Sequence, residues 1–155
     1  MTMSEIMKMK LEDEKNRVLS SFSVIKKDEG FIVDYIANCN ESSASDILDK
    51  VKEILLLIHE NSFSTWPSID KWSSILPKEF VSSFSDSDDS DDWTLNDWLY
   101  WLEPENRAWF LWDVKELGSK CLKISIVVYE HPFPWEALEV LFMKMGTDEL
   151  EEETF

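Results

Sequence analysis

Glycine is scarce. Three glycines scattered through 155 residues leave no phosphate-cradling loop, which needs several glycines close together to bring backbone N–H groups onto an anion. A serine elbow is missing for the same reason. Histidine and cysteine are equally sparse, at two each. Cys39 and Cys121 make neither a metal spacing nor a disulfide framework, and both are read as free thiols. A thiol nucleophile needs an adjacent base, and only His59, at a helix end, and His131, in a turn before proline, could serve; both read as structural. No wholly apolar run exceeds five residues, as at Ile54 to Ile58, far short of the ~20 that span a bilayer. The charged start, Met-Thr-Met-Ser-Glu-Ile-Met-Lys-Met-Lys, lacks an apolar signal core, so a cytoplasmic location is the expectation.

Positive charge is the scarcity with the widest consequence. Fifteen Lys and Arg stand against 32 Asp and Glu, a formal charge of -17. Phosphate backbones and anionic membranes need a basic footprint, so neither is an expected partner. A basic protein is. The imbalance is uneven: residues 1–81 carry 10 basic and 14 acidic groups, residues 82–155 carry 5 and 18.

What is present in quantity is apolar and aromatic: 44% and 13% of the chain, enough to build a packed core in one domain covering residues 1–155. Met3, Ile6, Met7 and Leu11 suggest a short helix over residues 1–15. Two β-rich runs, Arg17 to Lys27 and Gly30 to Ala37, flank a charged tip ending in glycine and predict a hairpin. Ser43 caps a helix carrying Ile47, Val51, Ile54, Leu55 and Ile58 at helical spacing. Short helices follow behind Ser68 and Pro77. Ser-Asp-Ser-Asp-Asp-Ser-Asp-Asp, residues 85–92, is a mutually repelling run and marks an acidic break. Thr94 caps a helix through Leu102 that Pro104 ends. Arg107 to Val114 and Cys121 to Tyr129 predict a second hairpin, the latter with Leu122, Ile124, Ile126 and Val128 inward. A last helix starts at Pro134 and stops at Gly146, leaving a frayed acidic tail over 147–155. The fold class that follows is α+β: a mainly antiparallel four-stranded sheet of two hairpins with helices chiefly on one face. Two subdomains hinged at the acidic break are the alternative.

The aspartate run fails as a calcium loop. Counting from Asp86, the sixth position is Asp91 where glycine is required and the twelfth is Asp97 where a bidentate glutamate is required, so no metal site is assigned. Glu103 and Glu105 form the one pair of carboxylates considered for hydrolysis, without a surrounding motif. Five of eight tryptophans lie between residues 91 and 113. Trp109 and Trp112 face opposite sides of their strand, so at least one is expected in the core, and Trp135, at helical spacing from Leu138 and Phe142, is read as core as well. Trp93, Trp98 and Trp101 sit on a helix too apolar to bury on every side, next to the acidic run, a combination that suits a protein interface.

Arg-Ala-Trp-Phe-Leu-Trp-Asp at 107–113, with Ile-Ser-Ile-Val-Val-Tyr-Glu-His-Pro-Phe-Pro-Trp-Glu-Ala-Leu-Glu-Val-Leu-Phe-Met-Lys-Met-Gly at 124–146, resembles the C-terminal part of small acidic bacterial proteins similar to immunity proteins of toxin–immunity systems. The resemblance implies a non-catalytic protein, with no cofactor, that binds and blocks one cognate toxin. The charge is consistent with a basic toxin domain, through electrostatic steering. The expected division of labour is that Asp86, Asp88, Asp89, Asp91 and Asp92 steer the partner, while Trp93, Asp97, Trp98, Glu103 and Glu105 dock it. A DNA-mimic inhibitor, a general adaptor or regulatory module, and a small hydrolase using the glutamates are the alternatives.

Overall fold

A computed structural model describes residues 4–23, 30–40, 42–84, 93–130 and 132–153. The chain runs α1 (Glu5–Leu19), β1 (Phe31–Asn38), α2 (Ala44–Glu60), α3 (Ile69–Ile75), α4 (Lys78–Ser82), α5 (Leu95–Leu102), a 3-10 turn (Pro104–Asn106), β2 (Phe110–Glu116), β3 (Cys121–Val128), α6 (Glu136–Met145) and β4 (Glu151–Glu152). The four strands form one antiparallel sheet in the order β2-β3-β1-β4, the α+β architecture that the alternation of elements implies. Because β1 lies between two strands from the C-terminal half, both halves of the chain share this sheet.

The sheet has a closed face and a more open one. Tyr35, Ala37, Leu122, Ile124, Ile126 and Val128 alternate onto the closed face and join the buried residues of α2, α5 and α6 in one core. Val127 and Phe110 point the other way, where Leu11 and Met7 of α1 cover them. Within β2 the simple alternation expected over Arg107 to Val114 is broken. A register shift between Leu111 and Asp113 places the extra residue, Trp112, in a bulge, so that Leu111 and Val114 both reach the main core.

The expected first strand, Arg17 to Lys27, does not form over Arg17 to Ser23. Arg17 to Leu19 belong to α1, and the chain turns at Ser21 and Phe22 with φ of 52° and 63°; residues 24–27 of the expected strand, and 28–29 of its tip, lie outside those described. Val18 and Phe22 are four apart, a spacing that suits either a strand face or a helix face; Val18 lies on α1 and Phe22 in the turn beyond it, and both are buried in the main core. β1 instead pairs with β3, Tyr35 opposite Ile124. The tail is likewise not frayed over 147–153: Thr147 bridges Cys39, Leu150 is buried, and Glu151–Glu152 pair with Ile36 and Tyr35. Elsewhere the local signals match. Ser43 and Ser68 accept from the N3 amides of α2 and α3. Gly146 ends α6 at φ 119°, in the left-handed region that glycine enters without strain. The last helix starts at Glu136 rather than Pro134, with Trp135 as its N-cap.

A charged cluster sits where α1, α2 and β2 meet. Glu14 is fully buried. One carboxylate oxygen lies 2.7 Å from His59 Nε2 at the end of α2, and the other accepts from Arg107 Nη2 and from the Leu111 amide, both at 2.6 Å. Arg17 Nε donates to the Leu111 carbonyl at 2.8 Å. Leu111 belongs to an edge strand, and its backbone groups are thus satisfied by two side chains of α1 instead of by another strand. Burial pushes the Glu14 carboxyl up, but the Arg107 guanidinium and the His59 contact outweigh it and hold the group well below the usual carboxylate range.

Removing one member of such a cluster strands the others away from water. Glu14→Gln is therefore expected to cost about 3–5 kcal/mol in urea unfolding at neutral pH. Since the folded value lies below the ordinary 4.5, the carboxylate's contribution is complete above about pH 4.5 and is lost as pH falls beneath it. An unfolding midpoint for the variant that keeps the wild-type slope against pH between 5 and about 3 contradicts this role.

Candidate functional site

α5 follows directly on the acidic run and is built as an amphipathic helix with unusual content on its outer side. Its start is fixed by a reciprocal cap: the Asp97 amide donates to Thr94 Oγ1 at 3.2 Å, and the Thr94 amide to Asp97 Oδ2 at 2.9 Å. Leu95, Trp98, Leu99 and Leu102 then fall on the buried side. Trp93, Asn96, Asp97 and Tyr100, at the same i, i+3, i+4, i+7 spacing, fall on the outer side.

The tryptophan expected to dock a partner, Trp98, does not reach the surface. It is fully buried, edge-on to Phe80 at 5.0 Å between ring centroids, and its Nε1 donates to the Ala137 carbonyl at 3.1 Å, tying α5 to α6. Trp98 lies three residues after Leu95 and four before Leu102, which places it on the apolar stripe, not beside Trp93 and Asp97. Trp93 and Trp101 are half-buried, as expected for a face left partly open. Asp86, Asp88, Asp89, Asp91 and Asp92 lie outside the described residues.

Tyr100 is the ridge of the outer face. It is 53% exposed and meets Trp101 edge-on at 5.0 Å. On one flank a groove of about 450 Å³ is lined by Trp93, Asn96, Asp97, Tyr100 and Trp101. On the other, a cleft of about 320 Å³ runs between Tyr100 and the Trp66–Pro67–Ser68–Ile69 segment, with Glu103 in its wall. Trp66 packs on the buried Trp72 at 4.9 Å, which holds that wall in place. Glu103 ends α5 and Glu105 lies in the following 3-10 turn. Burial, and then the adjacent Glu105 carboxylate, push the Glu103 carboxyl above its ordinary value.

Four of the five described residues expected to bind a partner, Trp93, Asp97, Glu103 and Glu105, thus gather on or beside the outer side of α5, around a tyrosine that sequence reasoning had not singled out. The signal for Tyr100 was its helical spacing from Trp93, Asn96 and Asp97. Trp66 had no such signal, because it arrives from a loop 34 residues before Tyr100 by packing on Trp72. Among the described residues, no group of three His, Cys, Asp or Glu is arranged to hold a metal ion. His59 is engaged by Glu14, not by a thiol. Cys39 is buried, and burial raises its thiol above the ordinary value. No described helix is long and apolar enough to cross a membrane. The surface that remains offers aromatic faces beside carboxylates, which suits lysine and arginine side chains.

Truncation separates the two sides of α5. Trp98→Ala is expected to cost about 3–5 kcal/mol of stability, and Tyr100→Ala no more than about 0.5 kcal/mol, by chemical denaturation. In a carboxyl NMR titration, Glu105→Gln should move the Glu103 midpoint downward, since a like charge is removed while burial is unchanged; an unmoved midpoint excludes their coupling.

Compared with known proteins, the chain matches no family model, no curated protein and no solved structure, so the reading of this surface rests on its own chemistry.

Proposed function

We propose that the protein is a non-catalytic binding protein that captures a basic protein through the outer side of α5, in the manner of an immunity protein neutralising a cognate toxin in the cytoplasm. The observation that carries this reading is the grouping of Asp97, Glu103 and Glu105 around Trp93, Tyr100 and Trp101, on a chain whose formal charge is -17. Long-range attraction draws a basic partner in, and aromatic rings supply desolvated contact area once it arrives. The pushed-up Glu103 carboxyl adds a specific term: a guanidinium or ammonium in the cleft relieves its repulsion with Glu105, so the cationic partner is favoured over a neutral one.

A second reading, a carboxylate-dependent hydrolase, draws on that same raised Glu103 in the wall of an aromatic cleft. The two readings respond differently to substitution.

The test is capture of a partner from the native host, followed by measurement of its activity with and without this protein. One basic protein is expected to be bound and inhibited. Tyr100→Ala combined with Glu103→Gln should weaken binding by at least about tenfold through faster dissociation, and raised salt should slow association. Inhibition that survives both changes removes α5 from the interface. A hydrolytic activity abolished by Glu103→Gln alone would favour the second reading.

A further inference from the structure

A second aromatic cleft lies at the opposite end of the sheet order from β2, where β4 pairs with β1. Tyr35, Pro132, Phe133, Trp135, Leu150 and Glu152 enclose about 310 Å³. It shares no lining residue with the α5 grooves, and its assignment does not depend on the binding reading above.

The walls are set by separate parts of the fold. Tyr35 of β1 faces Glu152 of β4 across the sheet. Trp135, the N-cap of α6, stacks on Tyr35 with ring centroids 5.4 Å apart and planes at 24°. Tyr35 is 2% exposed, and its hydroxyl, which no described residue hydrogen-bonds, is not sealed in the core but reaches the cleft. Glu152 is exposed and makes no hydrogen bond or ion pair with a described residue. Two further carboxylates stand close by: Glu139 accepts from the Leu150 amide at 3.0 Å, and Glu136 from the Trp135 amide at 3.1 Å. Burial first, then Glu152, Glu139 and Glu136, push the Tyr35 hydroxyl up to about 12, so these three carboxylates are near enough to act on the cleft wall.

The lining selects among ligands. An anion is repelled by three glutamates. A hard metal ion needs several oxygen ligands in its first shell, and most of this wall is ring and hydrocarbon. A neutral apolar molecule gains the rings but leaves the Glu152 charge less hydrated. A weakly hydrated organic cation uses both, since ring faces attract it electrostatically and the carboxylate balances it. The free Tyr35 hydroxyl oxygen can accept from an ammonium N–H. We propose that this cleft binds the cationic head of a small free amine or quaternary ammonium compound, seated against the Trp135 and Phe133 rings with Glu152 as its counter-charge.

The experiment is an NMR titration of the full chain, following the Trp135 indole N–H, which is assigned by its loss in Trp135→Phe. Choline and butylammonium are the cationic probes, and dimethylbutanol is the neutral carbon isostere of choline. Saturable shifts in the millimolar range are expected with the two cations, and none with the alcohol at equal concentration. Glu152→Gln, at an exposed position, should weaken both cations about fivefold, and Trp135→Phe, followed by the remaining shifts around Tyr35, about threefold. Equal binding of alcohol and choline, absence of saturation, or an affinity unchanged in Glu152→Gln overturns the proposal. A lysine-containing peptide that binds more than about tenfold tighter than butylammonium overturns the small-molecule assignment and makes the cleft a receptor for a protein side chain.

Discussion

Glu14 is the group on which the arrangement of layers depends. A single carboxylate reaches His59 at the end of α2, Arg107 ahead of β2, and the Leu111 amide within β2. Those partners are 45, 93 and 97 residues away along the chain, so the contact fixes the first helix against both halves of the fold at once. Apolar packing alone would let α1 slide or rotate along the sheet edge, because dispersion and burial are non-directional. A buried charge with defined donors is not so tolerant, and a misplaced α1 leaves a carboxylate and a guanidinium unpaired away from water.

The same contact decides where the sheet ends. Arg17 and Glu14 occupy the outward carbonyl and amide of Leu111, so part of the β2 edge is closed by side chains of a helix. The bulge at Trp112 re-aims the strand beside it. With that edge closed and the inner face packed by α2, α5 and α6, the outer side of α5 is left as an aromatic and acidic surface. The location of this surface follows from the core: Trp98 anchors α5 to α6 and to Phe80, which turns Asp97 and Tyr100 away from it and leaves Trp93 half-buried at its rim.

Much of this was legible in the residues. α2, with its Ser43 cap and regular apolar spacing, β3 with alternating Leu122 to Val128, the Thr94 start of α5 and the Gly146 stop all follow local rules that the tertiary structure did not override. The misreadings share one cause, the dependence of an element on a distant partner. β4 consists of two glutamates, which have no preference for a strand and form one because the β1 edge offers hydrogen bonds. α1 buries Glu14 and Arg17, charged residues that ordinarily mark a solvent face, so its amphipathic pattern is hidden and Val18 and Phe22 pass for strand. At the candidate site, Asp97 was expected, Tyr100 was overlooked although its helical spacing from Asn96 and Asp97 marks the same face, Trp98 was placed on the wrong side by its proximity to Trp93, and Trp66 could be placed only by tertiary packing.

The position of β1 between β3 and β4 sets an order of events during synthesis. Residues 31–38 leave the ribosome long before either neighbour, since their partners are residues 121–128 and 151–152. For most of translation this segment has both edges unpaired, with Ile32 and Ile36 available to other chains. The local helices can form early, but the sheet cannot assemble around its inner strand until β3 is present, and the β1 edge at Tyr35 and Ile36 stays uncovered until β4 is made. A fold with so much of its pairing deferred requires the nascent chain to remain dispersed. The strong negative charge of the sequence, through repulsion between copies, supplies a means of doing so before any partner is met.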